Sequence, residues 1–387
     1  MKQDSANTGQ IEGRLHILLR ERGARIESSR PLAAARLFVG RPVQQVLHTL
    51  PLLFNVCGQA QAVAAIRAIE SAAQQTAAQD VEQARDRLVA LETLREHLWR
   101  VLLDWPTFVE RQPQQAALAN LMAVLQSLKN QIDPLKRLLT HPGLQSCSGS
   151  PTRVQDGLEA LRQQLEQHIF GCPLGQWLNA SLDELHDWIA ATDTDSARLL
   201  RLVCEQQWES LGRSGVAPMR EIDDTFIAEQ LDGHRADDFI AQPDFGGQAL
   251  DTGPLSRLQD HPLLQAVEQA HGRGLLLRLL ARLLEIALLA DSLDQAPLNG
   301  RTVQGLAAVE AARGRLWHRV QLDGDRTVDY RILAPTEWNF HANGCAVEAL
   351  SSLDLADPQR ALQQAKLLVH AIDPCVGYEL EVEKGHA

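Results

Sequence analysis

The sequence predicts an α+β protein that is predominantly α-helical, a long-helix bundle with small β elements from both ends of the chain. After Asp80, leucines recur at spacings of three and four, as on one face of a long helix. Short runs typical of strands occur near residues 11–50 and again at 315–334. These two β regions flank the helical middle, and we expect them to meet in space.

The composition indicates an ordinary soluble globular protein, with 387 residues, 45% hydrophobic and 22% charged. The net charge of −12 argues against nucleic acid or an anionic membrane as a partner. The start MKQDSANTGQ is polar and has no secretion signal, and six cysteines in so long a chain do not suggest a disulfide framework. Together these features favour a cytoplasmic protein.

The apolar run at 275–290 is interrupted by charged residues. It is also too short to cross a membrane, which needs about 20 apolar residues. We therefore expect a buried helix there and no membrane contact.

Residues 11–55 form the predicted N-terminal β region. Short apolar runs in RLHILLRERGARIESSRPLAAARLFVG, with RGAR as a turn and Gly40 as a stop, predict two or three strands. Residues 56–300 are predicted to form a helical core. Within it, residues 213–254 are acidic and irregular, with Pro and Gly clusters near both ends, which predicts a solvated loop excursion.

Residues 301–387 are predicted to contain a β-hairpin and a helix that carries Cys375 to its place. RLWHRVQLDGDRTVDYRIL has two alternating runs around DGD, the signal of a hairpin. A last helix is predicted from about Asp357 to His370, shortly before the Asp-Pro-Cys of HAIDPCVGY.

Cys57 and Cys375 are the candidate metal ligands. Cys57 opens the helical run CGQAQAVAAIRAIE, and a helix N-terminus lowers the pKa of a thiol, which favours the metal-binding thiolate. Cys375 lies in a Pro turn, and Tyr378 stands where a Cys-x-x-Cys site would have its second sulfur. From the residues alone, the favoured interpretation is two buried free cysteines that pack as small hydrophobic side chains.

Several segments in register resemble the large subunit of NiFe hydrogenases. GRLWHRVQLDGDRTVDYRILAPTEWNF followed by DPC resembles the family's hairpin, its Pro-Thr-x-Trp-Asn segment and its terminal Asp-Pro-Cys-x-x-Cys. IEGRLHI resembles the Ile-Glu-Gly opening, which puts Glu12 on the family's proton-transfer glutamate. CGQAQAVAAIRAIE, DTGPLSRL and RLLARLLE resemble three further segments. The resemblance implies a single large-subunit-like domain over residues 1–387, although residues 71–250 are not clearly matched.

Two of the family's four cysteine ligands are replaced in this sequence. An ungapped alignment of the first helix puts Cys57 on the second cysteine of the first pair, Phe54 on the first, and Gln61 on a family histidine. A gap of three residues would instead put Cys57 on the first cysteine. Cys375 matches the first cysteine of the last pair, and Tyr378 replaces the second. Nickel in the family is held by all four sulfurs, so the resemblance implies no nickel, no hydrogen cleavage and no enzyme activity.

The resemblance implies that the iron side of the site persists. In the family the iron carries one CO and two cyanides, and the groups that hydrogen-bond the cyanides match Arg313 in EAARG and Thr336 in APTEWN. A guanidinium and a hydroxyl suit an anionic acceptor. The residues alone also allow a salt bridge of Arg313 with Glu310 or another nearby carboxylate, and a turn role for Thr336. Cys345, in HANGCAVEAL, is a further candidate sulfur ligand.

This combination resembles the HupK/HoxV type of hydrogenase accessory protein. The resemblance implies a scaffold that binds or assembles the Fe(CN)2(CO) unit transiently, before its transfer to the large subunit. The implied partners are a small HypC-type chaperone, other hydrogenase maturation proteins and the apo large subunit.

Three rival hypotheses stay open. A catalytic NiFe hydrogenase subunit is opposed by Phe54 and Tyr378. A metal-free, quinone-site homologue of the same fold from a respiratory complex is opposed by the retention of four site residues, Cys57, Cys375, Arg313 and Thr336. The third is a metal-free decoy that only binds chaperones.

Overall fold

Helices make up most of the protein, and the predicted fold class is confirmed. The computed structural model describes residues 13–54, 56–147, 151–220, 222–293 and 300–383; Glu12 lies outside them. The α-helices are α1 Val43–Leu53, α2 Gly58–Ala72, α3 Gln79–Trp99, α4 Trp105–Phe108, α5 Gln115–Ile132, α6 Pro151–Leu165, α7 Leu174–Leu178, α8 Leu182–Ala191, α9 Asp195–Glu205, α10 Asp224–Asp232, α11 Ala236–Ala241, α12 Pro254–Arg257, α13 Pro262–His271, α14 Leu275–Ser292, α15 Pro335–Asn339, α16 Cys345–Ser351 and α17 Pro358–Ile372. No helix in the described part is long and apolar enough to span a membrane.

Less regular helical turns extend this set. A 3-10 helix, Leu32–Phe38, precedes α1, and π-helical turns follow α3 at Arg100–Asp104 and α6 at Glu166–Phe170. A π-helical turn shifts the side chains that follow it relative to a regular helix, and such turns are frequent at functional sites. The turn at Arg100–Asp104 places Arg100 beside Asp373, at the start of the loop that carries Cys375.

The two ends of the described chain pair in one small sheet. Its strands are β1 Leu15–Arg20, β2 Gly23–Ser28 and β7 Tyr378–Val382, in the order β2-β1-β7. β1 runs antiparallel to β2 and parallel to β7, with Leu15 opposite Tyr378. The inward residues Leu15, Ile17 and Leu19 are almost fully buried against the helices. The N-terminal β elements therefore meet a C-terminal strand, as expected, but that strand is β7 rather than the hairpin predicted at residues 315–334, which lies in a second sheet.

The predicted C-terminal hairpin is part of a larger antiparallel sheet. β5 Gly314–Asp323 and β6 Arg326–Leu333 form the hairpin around Gly324, and β3 Arg301–Val303 and β4 Leu306–Ala311 extend it in the order β3-β4-β5-β6. β4 has the sequence LAAVEA and is buried at five of its six positions. A strand covered on both faces lacks the alternation of apolar and polar residues that would have revealed it.

The predicted β region at residues 11–55 is wrong beyond residue 28. The chain continues into the 3-10 helix and into α1 rather than into further strands. Val46, Leu47 and Leu50 are buried on one face of α1, which is the helical spacing of three and four.

The loop excursion predicted at residues 213–254 is also corrected. It contains α10 and α11, and its apolar residues form a cluster with Trp317 of β5 and Trp338 of α15. Its acidic residues face arginines rather than water alone: Asp232 pairs with Arg319 at 2.7 Å, and Asp237 pairs with Arg331 at 2.6 Å. The segment therefore covers one face of the β3–β6 sheet.

The predicted helical core is confirmed around α14. Almost all of α14 is buried, and it packs against α3, α13 and α17. One continuous hydrophobic cluster includes residues of β1, α3, α14 and α17. The N-terminal, central and C-terminal regions thus share a core, and this core fixes the ends of α3 and α17 at the site described below.

Gly314, at the start of β5, has no room for a side chain. Its φ is +132°, and an added Cβ would lie 2.5 Å from Thr252 Cγ2. We expect Gly314→Ala to lower the free energy of unfolding by about 2–3 kcal/mol, through backbone strain and the displacement of Thr252. The control Gly324→Ala has a φ of +59° with no atom within 4 Å, so it should lose only about 1 kcal/mol. Urea denaturation measures both, and equal losses would contradict this account.

Candidate iron-unit site

Cys57 is the N-cap of α2 and is buried, as expected from its position in the sequence. The first free N–H groups of the helix, those of Gln59 and Ala60, donate to the Glu92 carboxylate at 2.8 and 2.9 Å. Glu92 comes from α3, and burial raises its pKa to about 7. α3 thus fixes the start of α2 and, with it, the position of the Cys57 sulfur.

Cys375 lies two residues beyond Asp373, where the chain leaves α17. Asp373 has a φ of +68°, and this left-handed residue ends the helix. The backbone N–H of Cys375 then donates to Thr336 Oγ1 at 3.2 Å. Thr336 is buried in the first turn of α15. The predicted cofactor residue Thr336 therefore holds the loop of the predicted ligand Cys375.

The structure brings the two cysteines together on the wall of one cavity. A hydrogen bond from the Cys57 thiol lowers the pKa of Cys375 to about 6, with the charges of Arg313 and Arg30 acting in the same direction. The same hydrogen bond, together with burial, raises the pKa of Cys57. The expectation of a lowered pKa at Cys57 is wrong, because the hydrogen bond to Cys375 and burial favour the protonated thiol, and Glu92 at the helix terminus adds a smaller effect in the same direction. The thiolate of the pair belongs to Cys375.

Arg313 faces Cys57 from the loop between β4 and β5. Its Nη1 lies 3.6 Å from Cys57 Sγ and 3.0 Å from Glu96 Oε2. Its Nε lies 3.3 Å from Asp373 Oδ1 but makes no aligned hydrogen bond among the described residues. The salt bridge with Glu310, one of the alternatives, is absent among the ion pairs of the described residues, since Glu310 pairs with Arg257 and Arg315. Arg313 thus combines ion pairing with a donor directed at the sulfur.

Asp373 is the centre of a buried ion network that holds the Cys375 loop. Arg100 Nε donates to it at 3.0 Å, and Arg282 Nη2 lies 3.4 Å away. Although burial raises it, the pKa of Asp373 is held well below its ordinary value by Arg313, Arg100 and Arg282. The carboxylate therefore stays ionised and gives three arginines from separate elements one common partner.

Cys375 stands between two cavities of different character. The first, here called the thiol cavity, has a volume of about 140 Å³ and is lined by both cysteines together with Leu37, Leu53, Phe54, Leu316 and Ile332. The second, here called the charged cavity, has a volume of about 550 Å³ and is lined by Cys375 together with Arg95, Glu96, Arg100, Arg313, Asp373 and Tyr378. Small apolar ligands suit the first cavity, and water and ions suit the second.

The residues predicted to replace family ligands lie at the same site. Phe54 lines the thiol cavity, and Tyr378 lines the charged cavity at the start of β7. Gln61 Oε1 bonds His318 Nε2 at 2.7 Å, and His318 Nδ1 bonds the Tyr330 hydroxyl at 2.8 Å. Gln61 thus completes a buried polar chain on the wall of the thiol cavity.

Cys345 is held away from both cavities. It begins α16, and its thiol donates to the Asn339 carbonyl at 3.6 Å. Its pKa is raised, chiefly by burial. The candidate ligand Cys345 therefore does not share the site of Cys57 and Cys375. Within the described ranges, no group of three or more His, Cys, Asp and Glu side chains could hold a metal ion.

Three site residues were missed by the sequence reasoning. Arg30 and Glu337 form a buried ion pair in the thiol cavity, and Glu92 caps the helix of Cys57. Arg30 follows β2, and Glu337 belongs to the PTEWN segment already singled out. The neighbours of Thr336 in that segment were the one available signal.

Comparison with known proteins agrees with this architecture. Residues 275–378 match the family model described as nickel-dependent hydrogenase. The Ni-Fe-Se hydrogenase of D. vulgaris Hildenborough superposes with a TM-score of 0.63, covering 91% of this chain and 92% of that chain at 15% identity. The protein thus has the fold of a nickel-dependent hydrogenase subunit.

Among curated proteins, the similarity is to accessory proteins. The hydrogenase expression/formation protein HoxV of Cupriavidus necator is 31% identical, with 92% of each chain covered. The protein HupK of Bradyrhizobium diazoefficiens, named in the same way, is 33% identical over 93% of this chain and 92% of its own. The chain belongs to the HoxV/HupK family of hydrogenase expression/formation proteins.

The pH dependence of alkylation should show which cysteine of the pair carries the thiolate. We expect iodoacetamide to modify Cys375 before Cys57 at neutral pH, with a reaction midpoint near pH 6, because Cys375 carries the thiolate. Cys57→Ala removes the stabilising hydrogen bond and should move this midpoint to higher pH.

Peptide mass spectrometry over a pH series gives the midpoint for each cysteine. Cys204→Ala is the matched control, since Cys204 lies on α9 and lines neither cavity. An unchanged midpoint in Cys57→Ala would show that the hydrogen bond does not set the pKa of Cys375.

Proposed function

We propose that this protein is an accessory scaffold in the maturation of NiFe hydrogenase. Its cargo is the Fe(CN)2(CO) unit, bound or assembled between Cys57 and Cys375 before transfer to the large subunit. The observation that carries the proposal is the pairing of these two thiols at one cavity beside Arg313 and Thr336, in a chain whose relatives are named hydrogenase expression/formation proteins.

The donor set suits this cargo better than a bare metal ion. Two sulfurs alone leave a transition metal short of ligands, whereas an iron that brings three diatomic ligands needs few more. Cys375 is already poised as a thiolate, so one of the two Fe–S bonds requires no further proton loss. Uptake of the second sulfur requires the Cys57 proton to leave.

The walls of the site suit the diatomic ligands. The Arg313 guanidinium has a buried N–H without an aligned acceptor, and cyanide is an anionic acceptor. The Thr336 hydroxyl lies at Cys375 and adds a neutral donor. The apolar side of the thiol cavity suits CO, which carries no net charge.

The same residues argue against nickel and against hydrogen cleavage. Phe54 and Tyr378 replace two sulfurs, and the Tyr378 phenol is a weak neutral ligand whose pKa burial raises further. We therefore propose a non-catalytic role without nickel. The proposed partners are a small HypC-type chaperone, other maturation proteins and the apo large subunit, all in the cytoplasm.

Infrared spectroscopy of protein purified from a maturation-competent host tests the proposal. CO and CN stretching bands should be present in the wild type and lost in Cys57→Ala and in Cys375→Ala, because a single thiolate cannot hold the unit. Neither change removes much buried volume, so circular dichroism and thermal unfolding should stay close to the wild type.

Cys204→Ala should keep the bands and is the matched control for the loss of a thiol. If the wild type shows no CO or CN bands, the protein does not carry the iron unit and a metal-free function is indicated instead. Full bands in both single variants would show that other ligands hold the iron.

The hydrogen bonds proposed from Arg313 and Thr336 to the cyanide ligands should differ in strength. Arg313→Ala should release the unit more readily than Thr336→Ala, because a hydrogen bond from a charged donor contributes about 1.5–3 kcal/mol and one from a neutral hydroxyl about 0.5–1.5 kcal/mol. The decay of the infrared bands during dialysis gives the order.

Arg100→Ala is the matched control for this prediction. Arg100 shares Asp373 with Arg313, while the described sulfur contact belongs to Arg313. If Arg100→Ala releases the unit as fast as Arg313→Ala, the ion network rather than a cyanide contact explains retention.

A further inference from the structure

An exposed apolar surface surrounds the mouth of the thiol cavity. Four of the eight large hydrophobic side chains that are exposed in the described ranges lie within 17 residues of sequence, 37–53. They are Leu52 at 76%, Leu37 at 65%, Val39 at 43% and Leu53 at 40% exposure, and we call them the lip. Such a concentration of exposed apolar side chains marks an interaction site.

The lip is continuous with the cavity that contains the two cysteines. Leu37 and Leu53 line the thiol cavity, and Val39 and Leu52 are their near neighbours in sequence. The lip is built from two elements, the end of the 3-10 helix Leu32–Phe38 and the end of α1. A protein seated on the lip would therefore cover the opening above Cys57 and Cys375 and exclude water from the thiols.

The charge around the lip differs from that of the whole chain. No acidic residue occurs between Glu27 and Glu70, although the net charge of the protein is −12. Arg36, Arg41 and His48 are exposed within this stretch. A basic and apolar surface on an acidic protein fits a partner with carboxylates around an apolar contact.

Elements packed against the lip contribute groups of both signs. Asp237 of α11 pairs with Arg36 and Arg331, and Arg331 also pairs with Asp329 of β6, so these two arginines meet two carboxylates. β6 adds Arg326, which donates to the Gly40 carbonyl at 2.9 Å, and the adjacent Asp325, which is exposed and accepts from Val43 N through its backbone. These groups balance one another, so the basic character of the surface comes from the lip segment itself, through the exposed Arg41 and His48.

A second copy of the chain is disfavoured as the occupant. A symmetric dimer through the lip would place the same basic residues opposite themselves, and like charges across an interface are unfavourable. An acidic partner meets no such repulsion.

We propose that the lip is the docking surface for an acidic protein that delivers the iron unit to the thiol cavity or receives it from there. This inference rests on the proposed function. It adds to it the side from which the cargo is exchanged and the chemistry of the protein that exchanges it.

Charge insertion at the lip tests the proposal. Leu52→Glu puts an acid into the most exposed lip position, outside the cavity lining. We expect it to weaken the complex with the purified HypC-type chaperone, or with the purified apo large subunit, by at least about tenfold in Kd. Infrared bands should be correspondingly weaker in Leu52→Glu purified from the maturation-competent host.

Two further variants separate the causes. Leu135→Glu makes the same change at a leucine that is 58% exposed and lines neither cavity. This variant should bind the partner and show infrared bands as the wild type does. Arg41→Glu should weaken binding through charge alone, and this loss should shrink as the salt concentration is raised.

The outcomes distinguish this proposal from the proposed function. Infrared bands in the wild type, with undiminished binding and loading by Leu52→Glu and Arg41→Glu, would overturn the lip while leaving the scaffold role intact. If the wild type binds neither the chaperone nor the apo large subunit, the proposal that the lip is a docking surface is also wrong. So would a wild-type dimer in analytical ultracentrifugation that Leu52→Glu converts to a monomer, since a second copy would then be the occupant. A wild type without bands would instead defeat the scaffold role.

Discussion

The buried carboxylate of Asp373 is the interaction on which the site depends. It joins Arg100 from the π-helical turn after α3, Arg282 from α14 and Arg313 from the β4–β5 loop. Each of these charges would be expensive to bury alone, and removing one partner of a buried pair costs about 3–5 kcal/mol. Because all three arginines meet at the residue that ends α17, the network fixes the direction in which the chain leaves that helix. Cys375 follows two residues later.

The two thiols differ in protonation state because the groups around them differ. Positive charge from Arg313 and Arg30 reaches Cys375, while Cys57 lies beside the carboxylate that holds the start of its own helix. A helix N-terminus usually stabilises a nearby anion. Here Glu92 already accepts from the N–H groups of the helix, while the buried Cys57 thiol hydrogen-bonds to Cys375, so the sulfur at the N-cap keeps its proton. The pair is therefore half-ionised through its own surroundings.

Much of this could be predicted from the sequence, for identifiable reasons. The periodic leucines of α3 and the alternating β5–β6 hairpin carry their structure in local patterns, and the resemblance placed Cys57, Cys375, Arg313 and Thr336. The roles of these four residues as ligands of the iron unit stay predictions. What failed depended on partners distant in sequence. Residues 213–254 look solvated because their acids are charged, but Asp232 and Asp237 have arginine partners on the β3–β6 sheet.

The same limit explains the residues that were missed. Nothing near Glu92 in the sequence shows that it caps a helix more than thirty residues before it, and nothing near Arg30 points to Glu337. The strand β4 was missed because its alanines are buried on both faces and leave no alternation to detect. Local patterns report which face of an element is covered. They do not report which distant group covers it.

The parallel pairing of β1 with β7 has a consequence for the order of events during biosynthesis. A ribosome makes β1 well before β7, and the helical core and the β3–β6 sheet are made between them. Until β7 has been synthesised, β1 lacks its parallel partner strand and the loop of Cys375 is not held in place. Cys57 then has no second cysteine beside it at the start of its helix. The site of the two cysteines therefore forms only after β7 has been synthesised, and a shorter nascent chain lacks it.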